Sequence, residues 1–287
     1  MRGAVLPTSE ETRPTVTVVI PARNEAANLP HVLTRLPAEV DELILVDGDS
    51  VDDTIAVARA LCPEVRIVRQ DGHGKGNALA CGFAAATGEI IVMLDADGST
   101  DPAEIPRFLA ALHCGSDFAK GSRFAPGGSS ADITRLRRLG NGALRGLVNL
   151  LFGTRYTDLC YGYNAFWRDC LAQIDVTCDG FEVETLINVR IAAAGLTVAE
   201  VPSVEHPRLY GESNLRATRD GLRVLRTILT ERARLARRRP AGRAGAPWGG
   251  PLDPSVAVVL AAAAGAHAPL ESPVYLRMAP PGGPLLR

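Results

Sequence analysis

The chain has 287 residues, 46% hydrophobic and 22% charged, with 31 basic and 32 acidic side chains. That balance is ordinary for a soluble globular protein of one large or two small domains. Its six cysteines include no CxxC pair and several fall inside apolar runs, which reads as buried reduced thiols and argues against a zinc site. The near-neutral net charge hides an asymmetry: residues 1–218 carry 20 basic and 28 acidic side chains, whereas residues 219–243 carry nine arginines against Asp220 and Glu231. An acidic body with a basic C-terminal segment points to a polyanionic surface as neighbour, not to nucleic acid.

In chain order, residues 1–14 contain no long apolar core, so a flexible leader without a signal peptide is expected. VTVVIP (16–21) reads as a buried strand ending at a proline, and ARNEAANLPHVLTRL turns into a helix. ELILVDGDS (42–50) is a second strand, followed by the helix VDDTIAVARAL, for which Asp52 and Asp53 read as caps. EVRIVRQ (64–70) is a third strand, and DGHGKGNALACGFAAAT a glycine-rich loop opening a helix, with His73 a solvated loop residue. The fourth strand, Ile90 to Leu94, runs straight into Asp95-Ala96-Asp97. Short apolar runs bounded by turns are the pattern of buried parallel strands. Four strand–helix alternations predict an α/β chain with a mostly parallel, doubly wound sheet flanked by helices.

In such sheets the reactive groups gather past the carboxyl ends of the strands. Arg23, Asn24 and Glu25 follow the first strand, Asp47 and Asp49 the second, Gly74, Lys75 and Gly76 the third, and Asp95 and Asp97 the fourth. Asp101-Pro102 supplies the N-cap of the next helix, so Asp95 and Asp97 are not needed there. Two carboxylates two residues apart can reach one hard cation, Mg²⁺ or Mn²⁺, which favours oxygen ligands shared with substrate phosphates. Helix N-termini and a lysine at the same edge suit a phosphate-bearing ligand. GHGKGNA is not a Walker A loop, and no GxGxxG follows the first strand. Glu25 reads alternatively as a first-turn acid at a helix N-terminus.

Beyond a helix over 102–113, DFAKGSRF (117–124) predicts a strand ending at Lys120 and Arg123, and APGGSSAD a mobile loop. Leu136, Leu139, Ala143, Leu147 and Leu151 recur at helical spacing across 135–152. DLCYGYNAFWRD (158–169) is aromatic and polar, and its aromatic residues Tyr161, Tyr163 and Trp167 read as packing residues or acceptor contacts. Glu182 and Glu184 begin an apolar helix over 180–195, TVAEVP (197–202) is a last strand, and EHPRLYGESNL (205–215) a loop. Residues 216–239 predict a long basic amphipathic helix with Leu222, Leu225, Ile228 and Leu229 on one stripe. Residues 240–287 are rich in Ala, Gly and Pro and read as poorly ordered, and the apolar run Val256 to Ala266 is too short to span a bilayer.

The motifs VVIPARNEAANL, LILVDGDSVDDT, GKGNAL, MLDADGSTDP, KGSRF, DLCYGYNAF and RLYGESNL together resemble a family 2 glycosyltransferase. The branch they resemble contains the polyprenol-phosphate (dolichol-phosphate) mannosyl- and glucosyltransferases. The resemblance covers about residues 15–230 and implies the GT-A nucleotide-diphospho-sugar transferase fold, with catalytic domain boundaries near 15 and 215. It implies that Pro21, Arg23, Glu25, Asp47, Asp49, Lys75 and Ala96 bind the nucleotide sugar. Asp95 and Asp97 would hold Mg²⁺ or Mn²⁺ with Ser99, and Arg123 and Arg208 would hold phosphate oxygens with Ser213 nearby. Where the family has adjacent aspartates after the second strand this chain has Asp47-Gly48-Asp49, and where it often has Lys after the serine this chain has Asn214. A single displacement with inversion is implied. A lipid-phosphate acceptor needs no strong base, whereas a hydroxyl acceptor calls for a carboxylate, with Glu182 and Glu184 the candidates and Tyr163 a further acceptor contact. Work at the cytoplasmic face of a membrane, without crossing it, is the expected location.

Overall fold

The computed structural model describes residues 13–211 and 215–238, together with the backbone of residues 277–278. The apolar runs become strands buried on both faces: β1 (Val16–Ala22), β2 (Glu42–Asp47) and β4 (Ile90–Met93), with β3 (Arg66–Arg69) as a half-exposed edge. The helices between them are α1 (Leu29–Leu33), α2 (Thr54–Leu61) and α3 (Gly74–Ala85). After β4 come α4 (Ile105–His113), β5 (Phe118–Ser122), β6 (Ser129–Ser130) and α5 (Arg135–Phe152). The chain continues through β7 (Asn164–Trp167), α6 (Leu171–Ile174), α7 (Val183–Ala194), β8 (Val198–Pro202), β9 (Val204–Glu205) and α8 (Ala217–Arg238). Asp101 caps as expected, its Oδ1 accepting from the Ala103 amide at 2.9 Å just past Pro102.

The main sheet has the order β10-β8-β5-β7-β4-β1-β2-β3, where β10 (Arg277–Met278) adds an antiparallel edge to β8. β3, β2, β1 and β4 are parallel, as the sequence pattern predicts. β7 is the departure: it runs antiparallel between β4 and β5. Alternating residues of β1 feed two cores. Val16, Val18 and Ile20 meet Leu29, Val32, Ala58, Phe108 and Leu112. Val19 joins Leu79, Phe83, Phe166, Ile187, Val224 and Ile228 on the other face. The register sets the site. β4 ends at Met93 opposite Val19 while β1 continues to Ala22, so the chain after β4 leaves the sheet beneath the loop that follows β1.

Two expectations about the helices change. On α5, Leu136 and Leu139 are 63% and 73% exposed, and the buried positions are Asn141 and Val148. On α8 the expected stripe splits: Ile228 is buried while Leu222 and Leu229 are exposed, and Val224, outside the stripe, is buried with Ile228. α8 packs on α5 and α7, and the buried Arg190 donates to Glu231 at 2.8 Å. The leader up to residue 12 and the tail from 239, apart from residues 277–278, lie outside the described residues.

Candidate active site

A crevice of about 950 Å³ opens past the carboxyl ends of β1 and β4. Its first wall is the loop after β1. Asn24 turns the chain with φ of 57°, a left-handed conformation that asparagine tolerates. The Asn24 side chain accepts from the Val51 amide at 2.8 Å, and the amides of Glu25 and Ala26 donate to Thr54 Oγ1 (2.9 Å) and Asp52 Oδ2 (3.1 Å). Asp52 thus ties the loops after β1 and β2 together, while Asp53 takes the N-cap position of α2 without a side-chain capping bond, a departure from the expected pair of caps. The result fixes Pro21, Arg23 and Glu25 on the crevice wall. Burial pushes the Glu25 carboxyl above its usual range, against the opposing pull of Asn28 and Arg208.

The second wall is the start of α3. Gly74 has φ of 83°, and a Cβ there would collide with the carbonyl oxygen of Asp179; one on Gly76 would collide with that of Cys178. The Gly76 amide donates to Asp179 O at 2.8 Å. These glycines admit the 178–180 loop against the helix rather than a phosphate, a purpose invisible in sequence. Lys75 does face the crevice, yet it is committed to carboxylates: Nζ lies 2.5 Å from Asp95 Oδ1 and 2.7 Å from Glu184 Oε1. Burial alone would depress this ammonium, but Asp95 and Glu184 outweigh it and raise it above the ordinary lysine range. Glu184 is pushed up by burial, with Lys75 opposing. Gly162 makes the triad possible, because a Cβ there would stand 2.7 Å from Lys75 Nζ and 2.9 Å from Asp95 Oδ2.

Asp97 lies on the other side of Ala96. Its Oδ1 accepts from the Ser99 amide (3.0 Å) and hydroxyl (2.6 Å), and its Oδ2 from Arg208 Nη2 at 2.9 Å. The other arm of Arg208 donates to Glu25 Oε1 at 3.1 Å. Arg208 therefore bridges the loop after β1 and the loop after β4. Ser99 orients Asp97 in this arrangement and lines the crevice beside it.

Arg123 also borders the crevice but is employed differently from expectation. Its Nε and Nη2 donate to Asp158 at 2.7 and 3.0 Å, its Nη1 reaches Glu205 at 3.1 Å, and its guanidinium lies 4.8 Å from the Tyr161 ring centre. Burial opposes the charge on Asp158, yet Arg123 prevails and holds that carboxyl below its usual range. With 4% exposure and two buried acids, Arg123 knits the ends of β5 and β9 together.

The remaining candidates separate cleanly. Asp47 is 3% exposed and turned toward the Ser50 amide, Asp49 points to solvent, and the crevice wall there is Gly48 with Gln70 from the end of β3. Glu182 turns back toward the Gly180 amide at 3.3 Å, so Glu184 is the carboxylate that faces the crevice. Tyr163 is a core residue, stacked on Phe108 at 4.3 Å with its hydroxyl donating to Asp101 O; Tyr161 lines the crevice in its place. Ser213 lies outside the described residues. Gln70, Asn28, Asp158 and Glu205 carried no signal of their own in the sequence, whereas Gly162 had one as the glycine inside YGYN. The outer part of the crevice runs between α5 and α8, where Arg137, Arg216, Arg219 and Arg223 stand among Ile133, Leu136 and Leu144.

The donor set at Asp95 and Asp97 fits a hard divalent cation. It offers two carboxylates at the mouth of a crevice, and magnesium commonly takes one or two carboxylates and completes its shell with water and phosphate oxygens. The same carboxylates already draw positive charge, Lys75 to one and Arg208 to the other. Among the described residues no group of three His, Cys, Asp or Glu could hold a metal ion.

A family model described as glycosyl transferase family 2 matches residues 17–174, and the chain belongs to that family. Glycosyltransferase AglJ of Haloferax volcanii is 32% identical over 212 residues, covering 72% of this chain and 68% of that one. The undecaprenyl-phosphate mannosyltransferase of Micrococcus luteus is 32% identical over 212 residues, covering 70% of this chain and 87% of that one. Some relatives are longer, and the chain spans 39% of Haloferax glycosyltransferase AglD. Among solved structures, glucosyl-3-phosphoglycerate synthase from Mycobacterium tuberculosis, crystallised with Mg²⁺ and UDP, matches with a TM-score of 0.62 and 25% identity, covering 82% of this chain and 83% of that one. The protein is a glycosyltransferase with the GT-A fold, as its motifs imply.

Proposed function

We propose that this enzyme moves a hexose from a nucleotide diphosphate sugar to a polyprenyl phosphate, with inversion, at a membrane surface. The observation that carries the reading is the pair Asp95 and Asp97 at the end of β4, in one crevice with Lys75, Glu184, Glu25 and Arg208. Pro21, Arg23, Glu25 and Gly48 line the end where the nucleotide would lie. Asp95 and Asp97 would hold Mg²⁺ or Mn²⁺, which when bound supplies charge neutralisation to the leaving diphosphate. Arg208, placed beside Asp97, offers two N–H donors to phosphate oxygens as negative charge grows there. Lys75 keeps Asp95 and Glu184 together and oriented.

Support for a lipid phosphate comes from the outer crevice, where arginines of α5 and α8 alternate with apolar side chains. Close to it, Leu136, Leu139, Leu222 and Leu229 are exposed on these two helices. Anionic lipid attracts basic residues by about 1 kcal/mol each near the surface. Among the described residues no helix is long and apolar enough to cross a membrane. The test is incubation with a panel of nucleotide sugars and Mn²⁺, with and without short polyprenyl phosphates, following free nucleotide. Release that depends on the polyprenyl phosphate is expected; release that instead requires a soluble hydroxyl acceptor would overturn the lipid assignment.

A further inference from the structure

We propose that Asn28 is the positioning residue for Arg208. Asn28 occupies the N-cap position of α1, where an asparagine ordinarily accepts a hydrogen bond from the first-turn amides. Here its side chain makes no such bond. It is 2% exposed and reaches across the crevice mouth to the segment after β9. Its Nδ2 donates to Tyr210 O at 3.2 Å, and its Oδ1 accepts from the Tyr210 amide at 3.1 Å. One side-chain amide therefore pairs with both backbone groups of one residue, as a strand edge would, without using the Tyr210 side chain. The same Nδ2 donates to Glu25 Oε2 at 2.5 Å.

The segment His206–Gly211 is held like a strap. At its start the His206 amide donates to Ser99 O at 2.8 Å. Leu209 rests where Gly98 has no side chain, 3.1 Å from the place a Cβ would take. Asn28 fixes the far end. Between these ties Arg208 turns inward and spans Glu25 and Asp97. Arginine has many rotamers, and ordering such a side chain costs conformational entropy. A strap held at both ends lowers that cost at the moment a diphosphate arrives. The inference rests on the reading that the crevice takes a nucleotide diphosphate sugar, and it assigns Asn28 to the nucleotide step and not to the acceptor step.

The test is a double-mutant cycle on the full chain with Asn28→Ala, Arg208→Ala and both, titrating UDP and GDP in the presence of Mn²⁺. Alongside it, trypsin cleavage after Arg208 is timed in wild type and Asn28→Ala. Asn28→Ala should weaken the nucleotide that wild type binds by about tenfold, the scale of a lost charged hydrogen bond. In the Arg208→Ala background it should add less than about twofold, and cleavage after Arg208 should quicken several-fold while the melting temperature of the body holds. An undiminished effect of Asn28→Ala in the Arg208→Ala background, or an unchanged cleavage rate, overturns the assignment. If Asn28→Ala does not fold, Asn28→Asp keeps the acceptor for the Tyr210 amide, loses both donated bonds and should show the same pattern. If wild type binds neither nucleotide, the proposed function fails, and the cleavage experiment still decides whether Asn28 holds the strap.

Discussion

Arg123 and Arg208 both lie beside glycines in loops past strand ends, and each meets two carboxylates. Around Arg123, Asp158 is fully buried, Glu205 nearly so, and Asn141 and Ser130 satisfy the remaining oxygens. Around Arg208 the guanidinium is 21% exposed, and its partners Glu25 and Asp97 line an open crevice. The difference lies in what surrounds the pair. A charge cluster almost wholly buried must stay paired, since removing one partner leaves a buried charge uncompensated. A cluster open to solvent can exchange its internal cation for a ligand. The first arrangement holds the molecule together, and the second is available for chemistry.

Arg123→Ala is expected to break the buried cluster at a cost of about 3–5 kcal/mol, read as a lower urea midpoint or failure to fold. Unchanged stability would place Arg123 among the substrate-binding groups after all. Arg208→Ala should sharpen the contrast from the other side. Its unfolding free energy should change by less than that of Arg123→Ala, because these pairs are more open to solvent, while kcat/KM falls at least tenfold. Arg208→Lys should recover only part of this, because lysine lacks the bidentate fork. A large stability loss with normal kinetics would reverse the two roles.

Lys75→Met tests a third internal cation. Without the ammonium, the Glu184 carboxyl, already raised by burial, loses the group that pulls it down. It then binds its proton more tightly, so where the ionised form is required, the acid limb of the pH–rate profile moves to higher pH. A limb that stays in place would separate Glu184 from the rate. The smallest effect concerns α8: Leu222→Ser with Leu229→Ser should reduce flotation with anionic liposomes at low salt. Binding that is equal on neutral vesicles, or insensitive to salt, would argue against an electrostatic anchor.

Much of the fold was legible because parallel strands buried on both faces appear as continuous apolar runs, which marked β1, β2 and β4. β7 was not, since Asn164–Trp167 is short and inserted antiparallel, and its flanking aromatics resemble a loop. Asp95 and Asp97 were legible from their place at a strand end. The roles of the cations were not. Sequence places Arg123 and Arg208 in similar glycine-flanked loops, and only burial tells them apart. Likewise the glycines of GKG announce a close approach without saying that the approaching group is the 178–180 loop. Glu182 and Glu184 differ in where they fall around the start of α7, and Tyr161 and Tyr163 in which neighbours they meet, facts set by tertiary packing.

In the proposed reaction Asp95 and Asp97 would hold a divalent cation through which a nucleotide diphosphate sugar is used. This is tested most directly by following nucleotide release from the sugar nucleotide with Mn²⁺, in wild type, in wild type with excess EDTA, and in Asp97→Asn. Turnover should be present in the first, abolished in the second and largely lost in the third, with the urea midpoint of Asp97→Asn close to that of wild type. Full activity in EDTA or in a folded Asp97→Asn would contradict it.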